Sequence, residues 1–183
     1  MDANRIEREA NNLPLEIGFK RLSENAVLPT KAHASDSGFD LYAAEDVIIE
    51  QGDTAVVKTD IAVVLPEGYE AQVRPRSGVT SKTKLRVQLG TIDNSYRGNI
   101  GVIVDNIAED YCGNEMQYLT HIDGLDYRTD GALYPNETYL VRKGDRIAQL
   151  VVVPIPQTVA VEIDGDLTES ERGDRGFGSS GTN

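Results

Sequence analysis

Short runs of apolar, mostly β-branched residues alternate with turn sequences along most of the chain. Turns are indicated by Gln51-Gly52, Pro66-Glu67-Gly68 and Lys143-Gly144-Asp145. Many short strands without helical periodicity between them favour an all-β sandwich or barrel over a parallel βαβ sheet. We predict strands at 47–49, 55–65, 69–73, 85–89, 100–104, 138–141, 147–153 and 158–163. We also predict a hairpin over 90–98, with its tip near Asp93.

Residues 105–135 interrupt this alternation of strand and turn sequences, because they are polar and acidic and contain several turn signals. A loop of this length inside a compact domain is usually functional or disordered. Tyr118, Leu119 and Tyr127 give it apolar content, so we interpret 105–135 as an insertion with some structure of its own. The remaining boundaries are a polar N-terminal extension at 1–14, a β domain at 15–171 and a flexible C-terminal arm at 172–183.

Composition limits the classes of partner. The chain has 183 residues and a formal net charge of −12, which suits a single domain and argues against nucleic acid polymers, since those are held through many Lys and Arg contacts. A single nucleotide that arrives with a divalent cation remains compatible. Cys112 is the only cysteine, so no internal disulfide forms and an intracellular, cytoplasmic setting is expected. No apolar run is long enough to span a bilayer, so no membrane partner is expected.

The arm has an unusual inventory of groups. Residues 172–181 read Arg-Gly-Asp-Arg-Gly-Phe-Gly-Ser-Ser-Gly, which supplies backbone amides, hydroxyls and guanidinium groups for phosphate. Phe177 adds one flat ring that could stack on a base. Such a segment buries too little apolar surface to keep a fixed shape, so we expect it to become ordered when a nucleotide binds.

Four internal segments carry further candidate chemistry. Asp40 follows a glycine-containing turn and could hold hydrated Mg²⁺ through water. Arg76, Ser77 and Gly78 offer a planar fork, a hydroxyl and close backbone approach to phosphate. Gln149 lies in a predicted strand, where its amide needs a partner such as a phosphate oxygen or a water.

The fourth segment is the predicted hairpin. Asp93 could be a simple turn acid or a general base that takes a proton from water. Tyr96, close to the same tip, could lie flat against a sugar and leave no room for a 2′-hydroxyl, which would separate deoxyribose from ribose.

Taken together and in this order, the five segments resemble the trimeric dUTPase family. The matching motifs are Phe39-Asp40-Leu41-Tyr42-Ala43, Arg76-Ser77-Gly78, Thr91-Ile92-Asp93 with Tyr96-Arg97-Gly98, Gly144-Asp145-Arg146-Ile147-Ala148-Gln149-Leu150 and the arm from Arg172 to Gly181. The resemblance runs from about Leu15 to Gly181 without the insertion. Asn94-Ser95 departs from the Ala-Gly that is commoner in the family.

The resemblance implies a β jelly roll, a homotrimer with a swapped C-terminal arm, and Mg²⁺-dependent cleavage of dUTP to dUMP and pyrophosphate. It implies catalytic roles for Asp93 as base and for Gln149 and Arg76 at the phosphates or the water, with Asp40 holding the metal through water. The substrate contacts that it implies are Arg76, Ser77, Gly78, Leu89, Gly90, Thr91, Ile92, Asp93, Tyr96, Gln149, Arg172, Phe177, Gly178, Ser179 and Ser180.

Two alternatives stay open. A dCTP deaminase shares the fold, but such enzymes rely on a Glu in the strand after the hairpin, and residues 100–104 contain no carboxylate. The second alternative is a dUTPase that also binds a regulatory protein through residues 105–135. That insertion resembles the extra segment of some phage-encoded members, which suggests a phage or prophage origin.

Overall fold

The computed structural model describes residues 14–109, 113–170 and Gly173. The predictions for Arg172, Phe177, Gly178, Ser179 and Ser180, and for nearly all of the N-terminal extension, lie outside the described residues. Within them no helix has the length and apolar character needed to cross a membrane.

The described residues form strands and one short helix. In chain order these are β1 (Gly18–Arg21), β2 (Gly38–Tyr42), β3 (Val47–Ile49), β4 (Thr54–Lys58), β5 (Ile61–Val64), β6 (Tyr69–Pro75), α1 (Ser77–Lys82), β7 (Leu85–Val87), β8 (Gly90–Ile92), β9 (Gly101–Asn106), β10 (Glu115–Met116), β11 (Tyr118–His121), β12 (Asp126–Arg128), β13 (Tyr134–Pro135), β14 (Tyr139–Val141) and β15 (Arg146–Pro154). The predicted all-β class is confirmed.

Three larger sheets enclose the core. Their strand orders are β2-β15-β6-β8, β4-β9-β7 and β12-β11-β14-β3, and the pairs β1-β5 and β10-β13 complete the described sheets. Side chains alternate along each strand, so that Val102 and Val104 of β9 are buried while Ile103 between them is exposed. Each larger sheet contributes fully buried residues to one apolar cluster, for example Leu150, Val57 and Val141.

The insertion extends an existing sheet. Strand β11 pairs in parallel with β14, and β12 pairs antiparallel with β11, so two inserted strands widen the sheet that begins at β3. The sequence prediction placed the start of the insertion too early, because Asp105 and Asn106 belong to β9 and pair with β4 and β7.

The predicted strand at 158–163 is wrong. The structure gives this segment no strand pairing, and Val159 and Val161 are 86% and 79% exposed. Its alternating pattern produced the prediction, but a strand also needs a neighbour for its backbone hydrogen bonds. Within the described residues the segment has none.

Two other segments differ from expectation. The run 55–65 forms two strands, because Asp60 adopts a left-handed φ of 51° between β4 and β5. Helix α1 was not predicted, since its sequence Ser-Gly-Val-Thr-Ser-Lys contains glycine and β-branched residues that favour helix weakly.

The predicted hairpin at 90–98 is also wrong. Strand β8 pairs with β6, whereas β9 pairs with β4 and β7. Asp93 therefore follows a strand that leaves one sheet, and the chain crosses to another sheet before β9 begins. Turn sequence alone did not reveal that the two flanking strands have different partners.

Asn106 joins three parts of the fold. Its buried side-chain amide donates to the carbonyl oxygens of Ile49 at 3.1 Å and Glu137 at 2.8 Å, and its Oδ1 accepts from the Ala108 amide at 3.1 Å. One side chain thus connects the end of β9 with β3 and with the turn before β14.

We expect Asn106→Ala to lower the free energy of unfolding by about 2–3 kcal/mol, because buried polar groups lose their partners. Denaturant unfolding measures the change. Asn136→Ala is the matched control, since the Asn136 side chain makes one long hydrogen bond, at 3.4 Å to the Tyr118 hydroxyl. Equal stability of Asn106→Ala and wild type would contradict the connecting role.

Candidate active site

A buried carboxylate holds two arginines at one end of the β2-β15-β6 sheet. Asp40 is 6% exposed, and its Oδ1 lies 3.1 Å from Arg76 Nε while its Oδ2 lies 3.3 Å from Arg146 Nη1. Arg76 Nη1 also donates to the backbone carbonyl of Arg146 at 3.0 Å. Both guanidinium groups remain partly exposed, so the cluster presents positive charge to solvent on a chain that is negative overall.

Strand register explains this grouping. Gln149 in the central strand β15 lies opposite Asp40 on β2 and opposite Arg74 on β6. The register shifts between Arg146 and Ala148, which marks a bulge at the start of β15. The half-buried Gln149 amide makes no hydrogen bond within the described residues, and its proposed partner in the substrate stays a prediction.

Ser77 and Gly78 continue the same end of the site, because α1 starts directly after Arg76. Both residues are exposed, and a Cβ added at Gly78 would meet no atom within 4 Å. No contact within the described part of the chain therefore requires a glycine at position 78. Close approach of the backbone to a phosphate, as predicted from the sequence, stays a prediction.

Asp93 begins the turn after β8. Its side chain is exposed and makes no hydrogen bond within the described residues, while its carbonyl accepts from the Tyr96 amide at 3.0 Å. Leu89, Gly90 and Thr91 run along the preceding strand region. Ile92 is different: its side chain is buried in the core, so only its backbone could contact a ligand.

The sequence analysis assigned no role to Asn94, which anchors this turn. Its amide donates to the carbonyls of Leu65 at 3.1 Å, Pro66 at 2.6 Å and Tyr69 at 3.3 Å. A polar residue at a turn gave only a weak signal, because Asn is common in turns for local reasons. Here its contacts are distant in sequence, and they fix the residue next to Asp93.

Gly98 makes room for the Tyr96 ring. The Tyr96 hydroxyl donates to the Asn99 carbonyl at 2.9 Å, which folds the side chain over Gly98. A Cβ on Gly98 would lie 2.6 Å from Cζ of the ring, far inside van der Waals contact. The ring position therefore depends on a glycine two residues further along.

One chain does not bring Asp93 to the arginine cluster. Because Ile92 pairs with Ala71, the position after it lies across from Glu70, whereas Arg76 follows the other end of β6. Six residues of extended strand correspond to about 20 Å. The candidate residues thus form two groups, one with Asp40, Arg76, Ser77, Gly78 and Gln149, and the other with Asp93 and Tyr96.

The residues present fit Mg²⁺ that arrives with a nucleotide. Among the described residues, no three His, Cys, Asp or Glu side chains form a metal-binding group. Mg²⁺ keeps several waters and is usually held by one or two carboxylates plus substrate phosphates, so a full protein cage is not required. Asp40 already faces two arginines, and its water-mediated role with the metal stays a prediction.

Strand β9 does contain a carboxylate, because it extends to Asn106. Asp105 accepts from Thr54 Oγ1 at 2.6 Å and from the Gln88 amide, and these two hydrogen bonds lower the pKa of Asp105. Both hydrogen-bond partners of Asp105 belong to neighbouring strand regions of the same chain, so these contacts connect β9 with β4 and with the residue after β7.

These features define a class: an all-β protein with an arginine cluster suited to phosphate and a separate carboxylate open to water. The family model described as dUTPase matches residues 24–112 and 134–181, and so leaves 113–133 unmatched. Those unmatched residues contain the inserted strands β10, β11 and β12.

Curated proteins that resemble this chain agree with the match to the dUTPase family model. The human protein named deoxyuridine 5'-triphosphate nucleotidohydrolase, mitochondrial, is 39% identical over 93% of this chain, which spans 58% of the human protein's length. A protein of the same enzyme name from Hydrogenobaculum sp. is 38% identical, with 91% of this chain and 99% of that protein covered.

Solved phage structures show the same fold. The Staphylococcus bacteriophage 80alpha dUTPase with dUPNHPP superposes with a TM-score of 0.86 at 42% identity, over 91% of this chain and 98% of that one. The dUTPase of phage phi11 of S. aureus gives 0.79 in two structures, at 39% and 38% identity, with 82% and 97% covered. One concerns a structural Mg(II) ion and the other a species-specific insert. The chain belongs to the dUTPase family, and the predicted jelly-roll fold is confirmed.

Proposed function

We propose that the chain hydrolyses dUTP to dUMP and pyrophosphate by attack of water on the α-phosphorus. In a cell this reaction limits uracil in DNA and supplies dUMP for thymidylate synthesis. The observation that carries the proposal is the pair of guanidinium groups held by Asp40 at one end of β6, together with the exposed Asp93 carboxylate after β8, which has no partner within the described residues.

The described side chains suit this reaction. Asp93 is open to solvent and can accept the proton of the attacking water. Arg76, already oriented by Asp40, offsets charge on the phosphates, and the free Gln149 amide binds a phosphate oxygen or the water. Mg²⁺ would neutralise further triphosphate charge, with Asp40 contacting its waters. The phi11 dUTPase coordinates a structural Mg(II) ion. Arm residues 172–183 would close over the nucleotide, with Phe177 on the uracil.

We propose a homotrimer, and the separation of the two residue groups supports a site shared between subunits. Asp93 and Arg76 lie about 20 Å apart along β6, too far for one substrate phosphate to contact both. We propose that Asp93 of one subunit meets Arg76 of another. The exposed alternating residues Val159 and Val161 are consistent with a C-terminal segment that packs on a neighbouring subunit.

The insertion is the proposed surface for a regulatory protein. Its Leu125 and Leu133 are large apolar residues that are more than half exposed. The 80alpha dUTPase is described as controlling transfer of virulence genes by a proto-oncogenic G protein-like mechanism. We propose a comparable protein contact within 105–135, and a cytoplasmic site of action, in the host cell if the chain is phage-encoded.

We expect Asp93→Asn to reduce turnover by at least about a hundredfold, because the side chain keeps its size but loses the proton acceptor. Pyrophosphate release from dUTP measures the change, and release of ammonia from dCTP tests the deaminase alternative. Asp53→Asn, in the exposed turn before β4, is the control and should retain wild-type turnover. An active Asp93→Asn enzyme would remove the proposed base.

We expect Gly98→Ala to displace the Tyr96 ring and to reduce discrimination between dUTP and UTP by about tenfold. The ratio of kcat/KM for the two nucleotides measures the effect. Tyr96→Phe keeps the ring and loses only the hydroxyl bond to Asn99, so its ratio should stay closer to wild type. An unchanged ratio in Gly98→Ala would show that the ring does not face the sugar.

Mixed oligomers test the shared site. Asp93→Asn and Arg76→Ala should each be nearly inactive, but co-expression should restore up to about a quarter of wild-type activity, because random assembly pairs an intact Asp93 with an intact Arg76 of another subunit. Differently tagged chains allow purification of the mixed species. Homogeneous Asp93→Asn oligomers are the control. Absence of any recovery in purified mixed trimers would place the site within one chain.

A further inference from the structure

The first turn of the insertion contacts the body of the domain at several points. Ile122 is buried in the main apolar cluster, and Gly124 lies close to α1, since a Cβ on it would be 3.5 Å from Lys82 Cβ. Gly124 also has a φ of 85°, which permits the tight turn closed by its amide on the His121 carbonyl at 2.8 Å. The segment 121–124 is therefore integrated into the fold rather than hanging from it.

His121 lies between two carboxylates. The ring is buried; its Nε2 is 2.7 Å from Asp145 Oδ2 and its Nδ1 is 3.1 Å from Asp123 Oδ1. Tyr127 contacts the ring edge-on at 5.6 Å between centroids, and Arg142 stacks over Tyr127 at 3.9 Å. These neighbours leave the imidazole a single well-defined orientation.

The two carboxylates differ in their surroundings. Partial desolvation raises the pKa of Asp123, but hydrogen bonds from the Leu125 amide and His121, with the charges of His121 and Lys82, lower it by more. Asp123 is thus held by its own turn. Asp145 belongs to the Gly144-Asp145-Arg146 motif, on the opposite side of the ring.

Asp145 organises the turn that leads to Arg146. Its Oδ2 accepts from the Arg142 amide at 2.7 Å, and its own amide donates to the Arg142 carbonyl at 3.0 Å. Its carbonyl accepts from the Ala43 amide at 2.9 Å, close after Asp40 in the chain. The next residue supplies both the carbonyl that binds Arg76 and the guanidinium that binds Asp40.

We infer that His121 of the insertion is a positioning residue for the cluster of Asp40, Arg76 and Arg146. Its hydrogen bond to Asp145 fixes the turn before β15, so that Arg146 holds Arg76 and Asp40 in their observed arrangement. Within the described residues, His121 makes no hydrogen bond or ion pair with a candidate substrate residue, and it acts through Asp145. This inference rests on the phosphate-binding role proposed above for Arg76.

Two substitutions of His121 distinguish the roles of its two ring nitrogens. A glutamine amide nitrogen reaches about as far as His Nε2, so His121→Gln can still donate to Asp145. An asparagine amide reaches only about as far as Nδ1, so His121→Asn loses that bond while it can still contact Asp123. Asp123→Asn is the matched control, because Asp123 is the partner of the other ring nitrogen, Nδ1.

We expect His121→Asn to raise KM for dUTP at least about fivefold with kcat within about twofold, because loosened arginines weaken phosphate binding. His121→Gln should stay within about twofold of wild type in both constants, and Asp123→Asn should behave likewise. An unchanged KM in His121→Asn, or equal defects in His121→Gln and His121→Asn, would overturn the inference. A loss of thermal stability without a KM change would do the same.

Two further measurements keep the outcome decisive. Arg76→Lys should raise KM by itself; if it does not, the proposed phosphate role fails, whereas failure of His121→Asn alone removes only the positioning role.

If His121→Asn does not fold, hydrogen exchange of the wild-type enzyme decides. The amides of 120–125 should exchange more slowly with a non-hydrolysable dUTP analogue bound, since coupling is reciprocal. Unchanged exchange there would overturn the inference.

Discussion

Antiparallel pairing of β6 with β8 sets the geometry of this enzyme. The register places Gly90 beside Val73 and Ile92 beside Ala71. Asp93 therefore lies near the first residues of β6, whereas Arg76 follows its last residue. A strand cannot shorten, and a slip by one residue would turn the buried Ile92 to the opposite face. The distance between Asp93 and Arg76 within one chain is therefore fixed by the packing of the core. The proposed assembly of subunits would bring the two groups to one phosphorus.

In the proposed function, the cluster of Asp40, Arg76 and Arg146 would attract a polyanion to an acidic chain. Asp40 occupies one guanidinium nitrogen each of Arg76 and Arg146, and the Arg146 carbonyl accepts from a second nitrogen of Arg76. The other guanidinium nitrogens have no such partner within the described residues. The two arginines are therefore already oriented, and the nucleotide binding proposed for them would cost less side-chain freedom. Local arrangement matters here more than the net charge of −12.

Local pattern and long-range pairing differed in how well the sequence predicted them. Alternating residues correctly placed strands such as β3 and β6, because burial of one face leaves its mark on the sequence. The same pattern misled at 158–163, where the described residues provide no neighbouring strand to pair with. Motif residues were found at Asp40, Arg76 and Asp93, yet their division into two groups depends on strand partners that no local signal specifies. Asn94 and His121 were missed for the same reason, since their contacts are distant in sequence.

The insertion also covers a strand that would otherwise lie at the edge of a sheet. Strand β14 pairs with β3 on one side, and β11 covers its other side, with β12 outermost. Without 113–133, the outer edge of β14 would present unpaired amides and carbonyls, a surface prone to strand-to-strand aggregation. Shortening this segment in the laboratory would therefore call for a charged or proline-bearing replacement at the edge. An evolutionary loss of the segment would face the same requirement.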